Sequence, residues 1–206
     1  MLKRIEFEAK NLQEAEKYAV EALRIQKDKL KLTVLKEKKG LFNIGSSATY
    51  EATPNVNLAV EGKVYLENIL MTMDIKTRME VRTLNDGEEI HFHVESDENA
   101  LLIGREGRTL LGLQFMLRNY LNTFVDGHLI ISLDIGSYHE NRRKQLEILA
   151  TKTAKEVAQT KIAVKLDPMN AYDRRIVHTK LSEWRDVVTE SEGEGEHRAL
   201  VIKPKR

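Results

Sequence analysis

Two short constellations in this 206-residue chain carry residue types suited to holding phosphate. The first is Leu102-Ile103-Gly104-Arg105-Glu106-Gly107-Arg108-Thr109, where two glycines three apart let one helix stop and the next start almost at once. Backbone without a Cβ can be approached closely, and a new helix presents N–H groups without intrahelical partners. That geometry suits a phosphate of a nucleic-acid backbone. Arg105 and Arg108 add positive charge to the loop, while Glu106 puts a carboxylate in it. The second constellation is Arg174-Arg175-Ile176-Val177-His178. Arg174 and His178 are one helical turn apart and therefore neighbours on a surface. A guanidinium offers forked donors to a phosphate, and an imidazole can donate or stack. Ser191 and Arg198 lie downstream, in a stretch that reads as a hairpin able to fold back beside that helix.

Other chemistry fits less well. Gly107-Arg108-Thr109 resembles the end of a phosphate-loop NTPase motif, but Leu102 stands where its first glycine belongs and Arg replaces its Lys. His91 and His93 alternate on a predicted strand and share a face, with no third ligand close in sequence to complete a metal site. No serine sits in a G-x-S-x-G elbow. Glu192, Glu194 and Glu196 alternate with glycines, as a solvated turn would. No catalytic site, cofactor or metal is read from these patterns.

The elements that must position the two constellations fall into three blocks. Residues 1–53 read βαββ: a strand with Ile5 and Phe7 on one face, a helix capped by Asn11 with Glu14 completing a capping box, and strands at 30–34 and 47–52. Leu12, Ala15, Ala19, Ala22 and Leu23 are expected on that helix's buried face. Thr53–Asn57 reads as a linker. Residues 62–136 read α-β-β-α-α-β, with a helix from Val64 to Met73, strands from Lys76 and Glu89 joined at Asn85-Asp86-Gly87, and a short helix ending at Gly104. A helix from Gly107 to Phe124 and a strand from His128 to Ile135 complete the block. Residues 137–206 begin with a helix over 138–160 bearing Leu146, Leu149, Ala150, Val157 and Ala158 as its stripe. A helix capped by Asn170 and running through Trp184 follows, then two strands. The fold class is α+β, three small domains.

Composition limits the function classes. There is no cysteine, which removes disulfides and thiolate metal sites and fits a reducing compartment. No run approaches the ~20 apolar residues of a membrane span, and the charged N-terminus lacks a signal-peptide core. A soluble cytoplasmic protein is expected. The overall charge of +1 is unevenly spread. Residues 1–61 hold 11 basic against 9 acidic side chains, residues 62–136 hold 7 against 12, and residues 137–206 hold 15 against 11. Only the last third therefore has an electrostatic reason to meet nucleic acid.

Together the motifs resemble a known family. Ile103–Leu110 with Leu113-Gln114 is similar to the KH loop of the Jag proteins (SpoIIIJ-associated, also called KhpB). Pro168-Met169-Asn170 with Arg174–His178 and Ser191–Gly195 resembles their closing R-x-x-x-H domain, and Lys38–Gly45 resembles the signature of their N-terminal domain. The resemblance implies a type II KH fold for 62–136 and single-stranded RNA, or single-stranded DNA, as ligand. By position the contacts would be Gly104, Arg105, Glu106 and Gly107, with Arg108 beside them, and Arg174 and His178, with Arg175, Ser191 and Arg198 as neighbours. It also implies RNA chaperoning or post-transcriptional control linked to cell envelope synthesis and cell shape. A small KH-only protein partner, or a homodimer, would accompany it. The competing expectation is a protein-docking scaffold on which nucleic acid is incidental.

Overall fold

A computed structural model describes residues 1–38 and 47–205 of the chain. In order the elements are β1 (Ile5–Ala9), α1 (Leu12–Leu23), β2 (Leu30–Lys38), β3 (Ser47–Pro54), α2 (Leu58–Thr72), β4 (Thr77–Leu84), β5 (Glu89–Ser96), α3 (Asn99–Ile103), α4 (Arg108–Asn122) and β6 (Ile130–Ile135). They continue with α5 (Tyr138–Thr160), β7 (Val164–Lys165), α6 (Ala171–Leu181), β8 (Val187–Glu192) and β9 (Ala199–Pro204). The chain divides into two compact units, Met1–Gly136 and Ser137–Arg206. The mixed α+β class expected from the sequence is what is found.

The first unit opens with an antiparallel sheet in the order β1-β3-β2, packed against α1. Asn11 caps α1 by accepting the Glu14 N–H at 2.9 Å. The Glu14 carboxylate reaches back to the N–H of Lys10 at 2.9 Å, one residue beyond the cap it was expected to bond. Ala15, Ala19 and Leu23 are buried as predicted, but Leu12 and Ala22 are exposed. Leu12 occupies the first turn, where the chain has only just left β1, and Ala22 sits at the margin of a stripe centred on Ala19. Of the N-terminal signature, all but Lys38 lies outside the described residues.

The predicted linker is shorter than expected. β3 runs through Pro54, and Asn57 caps α2, its side chain accepting the N–H groups of Ala59 and Val60 at 3.0 and 3.2 Å. The helix therefore begins at Leu58 rather than Val64. Gly62 lies in the part of the helix that was not expected. It is a contact position, because a Cβ there would come within 2.5 Å of Phe92 Cζ. Residues 58–135 follow the order α-β-β-α-α-β, with β4 antiparallel and β6 parallel to the central β5. Ile90, Phe92, Val94, Ile131, Leu133 and Ile135 are buried from one sheet face, with Leu110, Leu113, Leu117 and Leu121 of α4. Gln114 of α4 accepts the backbone N–H of Leu133 at 3.0 Å, tying the helix to edge strand β6.

Both parts of this unit share contacts. Lys3 donates its N–H to the Phe124 carbonyl at 2.9 Å, and Asp126 donates to that of Met1 at 3.0 Å. Phe124 joins Ala19, Leu23, Ile25 and Ala52 in one apolar cluster. Beside it Lys29, Glu61 and Tyr120 hydrogen-bond one another, and Tyr120 stacks on Tyr65 at 4.1 Å.

The second unit packs α5 and α6 on a sheet ordered β7-β9-β8. Leu146, Ala150, Ala154 and Val157 of α5 meet Val177 and Leu181 of α6 and Leu200 and Ile202 of β9. Leu149 is exposed and Ala158 half-buried, since the 3.6-residue stripe runs through Leu146, Ala150, Ala154 and Val157 instead. α6 ends at Leu181, three residues before Trp184, which stays packed against the cluster.

Candidate nucleic-acid interface

The glycine loop joins α3 to α4. Gly104 ends α3, donating its N–H to the Ala100 carbonyl at 3.0 Å, with φ +69° and ψ 178°. A Cβ there would lie 2.2 Å from Thr109 Oγ1, so only glycine fits without moving α4. Glu106 and Gly107 both take the left-handed conformation, at φ +55° and +79°. No side chain caps the N-terminus of α4. Arg105 and Arg108 are exposed on either side of it, Glu106 is half-buried and Gly107 is buried. The loop thus offers helix-end N–H groups between two arginines.

The second site is built where α6 crosses the β8–β9 hairpin. Asn170 caps α6 by accepting the Asp173 N–H at 2.9 Å. Asp173 is buried, and its Oδ2 accepts from Nε of Arg142 on α5 at 3.0 Å, with Nη2 of the same guanidinium also 3.0 Å away in an ion pair. This pair holds the first turn of α6 in place. Arg174 then donates Nη1–H to the Met169 carbonyl at 2.7 Å. His178 Nδ1 lies 2.6 Å from Thr189 Oγ1. Arg174, Arg175, His178, Thr189 and Ser191 line a shallow cleft of about 310 Å³. Arg198 is exposed just before β9 and is absent from that lining.

Sequence reasoning missed Thr189, Arg142 and Asp173. Thr189 was findable, since it precedes Ser191 by two residues on a strand and so shares its face. The Asn170-x-x-Asp173 spacing marks a helix start. Nothing in sequence joins Asp173 to Arg142, which are 31 residues apart.

Elsewhere, His91 and His93 stand on the uncovered face of the sheet with Arg78, Glu80, Arg82, Ser132 and Asp134. His91 Nε2 is 2.6 Å from Glu89 Oε1, and His93 Nε2 is 3.0 Å from Glu95 Oε1. No group of three metal-ligating side chains forms among the described residues. Glu190 and Glu192 hold Lys203 at 2.6 and 2.8 Å, hydrogen bonds that push the lysine pKa up to about 12. No helix among the described residues is long and apolar enough to cross a membrane.

Comparison with known proteins matches these parts. Residues 7–53 fit the family model described as Jag N-terminus, and residues 144–204 fit the model of the R-x-x-x-H domain. A protein of Clostridium symbiosum named RNA-binding protein KhpB is 33% identical over 200 residues, spanning 96% of this chain and 90% of its own. One of the same name from Bacillus subtilis (strain 168) is 31% identical over 202 residues, spanning 96% of each chain. A third, from Lactiplantibacillus plantarum, is 34% identical over 138 residues, 67% of this chain and 42% of its own. With an N-terminal block, a helix-end glycine loop and an Arg174/His178 cleft in that order, the chain belongs to the Jag/KhpB family.

Proposed function

We propose that the protein binds single-stranded RNA at two places: the Gly104–Gly107 loop of a type II KH domain spanning 58–136, and the Arg174/His178 cleft of the R-x-x-x-H domain. The observation that carries this is the cleft. Its guanidinium is braced at one nitrogen, its imidazole is oriented by a threonine, and the surrounding unit has an excess of basic side chains. A braced arginine loses little freedom when it meets a phosphate. The loop adds helix-end N–H groups, and the α-β-β-α-α-β order with parallel β5 and β6 supports the KH assignment. The relatives named RNA-binding proteins point the same way. Two weak sites on one chain add through linkage, so neither needs to be tight. Single-stranded DNA presents the same phosphates and stacking faces. The role is binding rather than turnover. The family resemblance extends it to RNA chaperoning tied to envelope synthesis and cell shape, in the cytoplasm, with a small KH-only protein as partner.

Fluorescence anisotropy with a short single-stranded RNA at two salt concentrations tests this. Arg174→Ala/His178→Ala and Arg105→Glu/Arg108→Glu alter exposed or half-buried groups and spare Gly104, whose replacement would disturb α4. Each pair is expected to weaken binding about tenfold, the size of one charged hydrogen bond. Absence of binding at low salt overturns the proposal.

One observation favours the scaffold reading. Leu111 and Phe115, four apart on the outer face of α4, are 44% and 63% exposed. A nuclease-resistant dimer or complex in light scattering, abolished by Phe115→Glu, would support docking of a second KH protein there. A monomer with no co-purifying partner would end it.

A further inference from the structure

Arg175 lines two cavities. One is the Arg174/His178 cleft, and the other is a groove of about 670 Å³ on the adjoining face of α6. Tyr172, Arg175 and Thr179 follow the i, i+3, i+7 spacing that puts them on one helix face, while Ala171, Arg174 and His178 occupy the next. The groove is closed on its far side by Arg143 and Glu147 of α5. Three features distinguish it from an ordinary polar surface. Tyr172 is 60% exposed although aromatic, and the ring of His139 lies 6.4 Å from it between centres, inclined by 74°. Arg143, Arg175 and Lys180 bring three positive charges against Glu147 and Glu183. Glu147 engages Arg143 at 3.0 Å and Lys180 at 3.6 Å, so Arg175 is the groove cation that makes no ion pair among the described residues.

We propose that this groove is a second nucleotide subsite. Single-stranded RNA leaving the Arg174/His178 cleft sets a phosphate against Arg175 and lays the next base on the Tyr172 ring. This rests on the RNA-binding reading of the cleft. A stacking ring beside a cationic track is how single strands are held without base-specific hydrogen bonds, so the subsite is indifferent to sequence. Arg175 serves both cavities and passes the backbone from one to the other.

The test uses the full chain and two RNA decamers, one with bases and one in which the central nucleotides are abasic. For the base-bearing strand, Tyr172→Ala is expected to weaken binding roughly tenfold, the size of one stacked base, while Tyr172→Phe binds as the parent does. For the abasic strand, Tyr172→Ala and the parent should bind alike, because no base remains to stack on the ring. A Tyr172→Ala chain that binds the base-bearing strand as the parent does overturns the subsite. So does one that loses affinity for both strands equally, since the ring would then only brace the fold. Arg174→Ala/His178→Ala runs alongside. If those changes weaken binding while Tyr172→Ala does not, the cleft stands and the groove falls. If the parent chain binds neither strand, both fall together.

Discussion

Gly104 and Gly112 show how one residue type has opposite consequences at two positions of the same loop–helix unit. Gly104 has φ +69°, ψ 178°, a region closed to side chains, and Thr109 fills the space a Cβ would need. Gly112, within α4, has nothing within 4 Å of that space. Gly104→Ala should therefore cost about 3 kcal/mol, from backbone strain and the clash. Gly112→Ala should stabilise by about 0.5–1 kcal/mol through helix propensity. Urea unfolding of the two variants reads both signs. Asp173 is the other decisive residue. Asp173→Ala leaves Arg142, already largely covered, without its partner and removes a brace of α6, and we expect destabilisation of about 3 kcal/mol. The midpoint of thermal unfolding, with Arg142→Met/Asp173→Ala as the double variant recovering part of it, checks that.

At the scale of elements, the junction of α2, α4 and the turn that leads into β2 is a titrating contact. Burial alone would raise the Glu61 pKa, but hydrogen bonds with Lys29 and Tyr120 outweigh it and hold the carboxyl below its usual value. Burial alone would lower that of Lys29, and hydrogen bonds to Glu61 and Tyr120 reverse this and raise it. A depressed carboxyl contributes stability that is present above its unfolded pKa and lost as pH falls through its folded one. A raised ammonium contributes stability present below its unfolded pKa and lost as pH rises through its folded one. The junction is therefore strongest across the neutral range and loosens in acid and in strong alkali. Protection factors for amide hydrogen exchange in β2 and at the start of α2, corrected for the intrinsic rate at each pH, should fall below about pH 4, the region of an ordinary glutamate. Glu61→Gln should flatten that acid limb. An unchanged limb in the variant would mean that other carboxylates set it.

Across the whole molecule, charge is divided between the two units. Residues 1–136 hold 18 basic against 21 acidic side chains, and residues 137–206 hold 15 against 11. Binding of RNA should accordingly owe most of its salt dependence to the second unit. In a plot of log affinity against log salt, Arg174→Ala/Arg175→Ala should reduce the slope by about 1.4, about 0.7 for each phosphate of a single strand no longer neutralised. Arg105→Glu/Arg108→Glu should lower affinity through the loop's local charge while most of the slope remains. Equal slopes in the parent and the Arg174→Ala/Arg175→Ala chain would show that these arginines do not neutralise phosphates.

Much of this was legible in the chain itself. Alternation in β1, β5 and β6, the caps Asn11 and Asn170, and the Leu110–Leu113–Leu117–Leu121 stripe are local signals, because each reports the period of one element. The glycine loop and the Arg174/His178 pair were visible for the same reason, their spacing being short. The tertiary structure decided what depends on elements distant in sequence. It set the start of α2 beside Phe92, the Arg142–Asp173 brace, the junction of Lys29 with Glu61 and Tyr120, and the pairing of His178 with Thr189. It also left Arg198 out of the cleft and set Arg175 between two cavities. Periodicity records which face a residue occupies on its own helix or strand, whereas a site is made by what another element brings to that face.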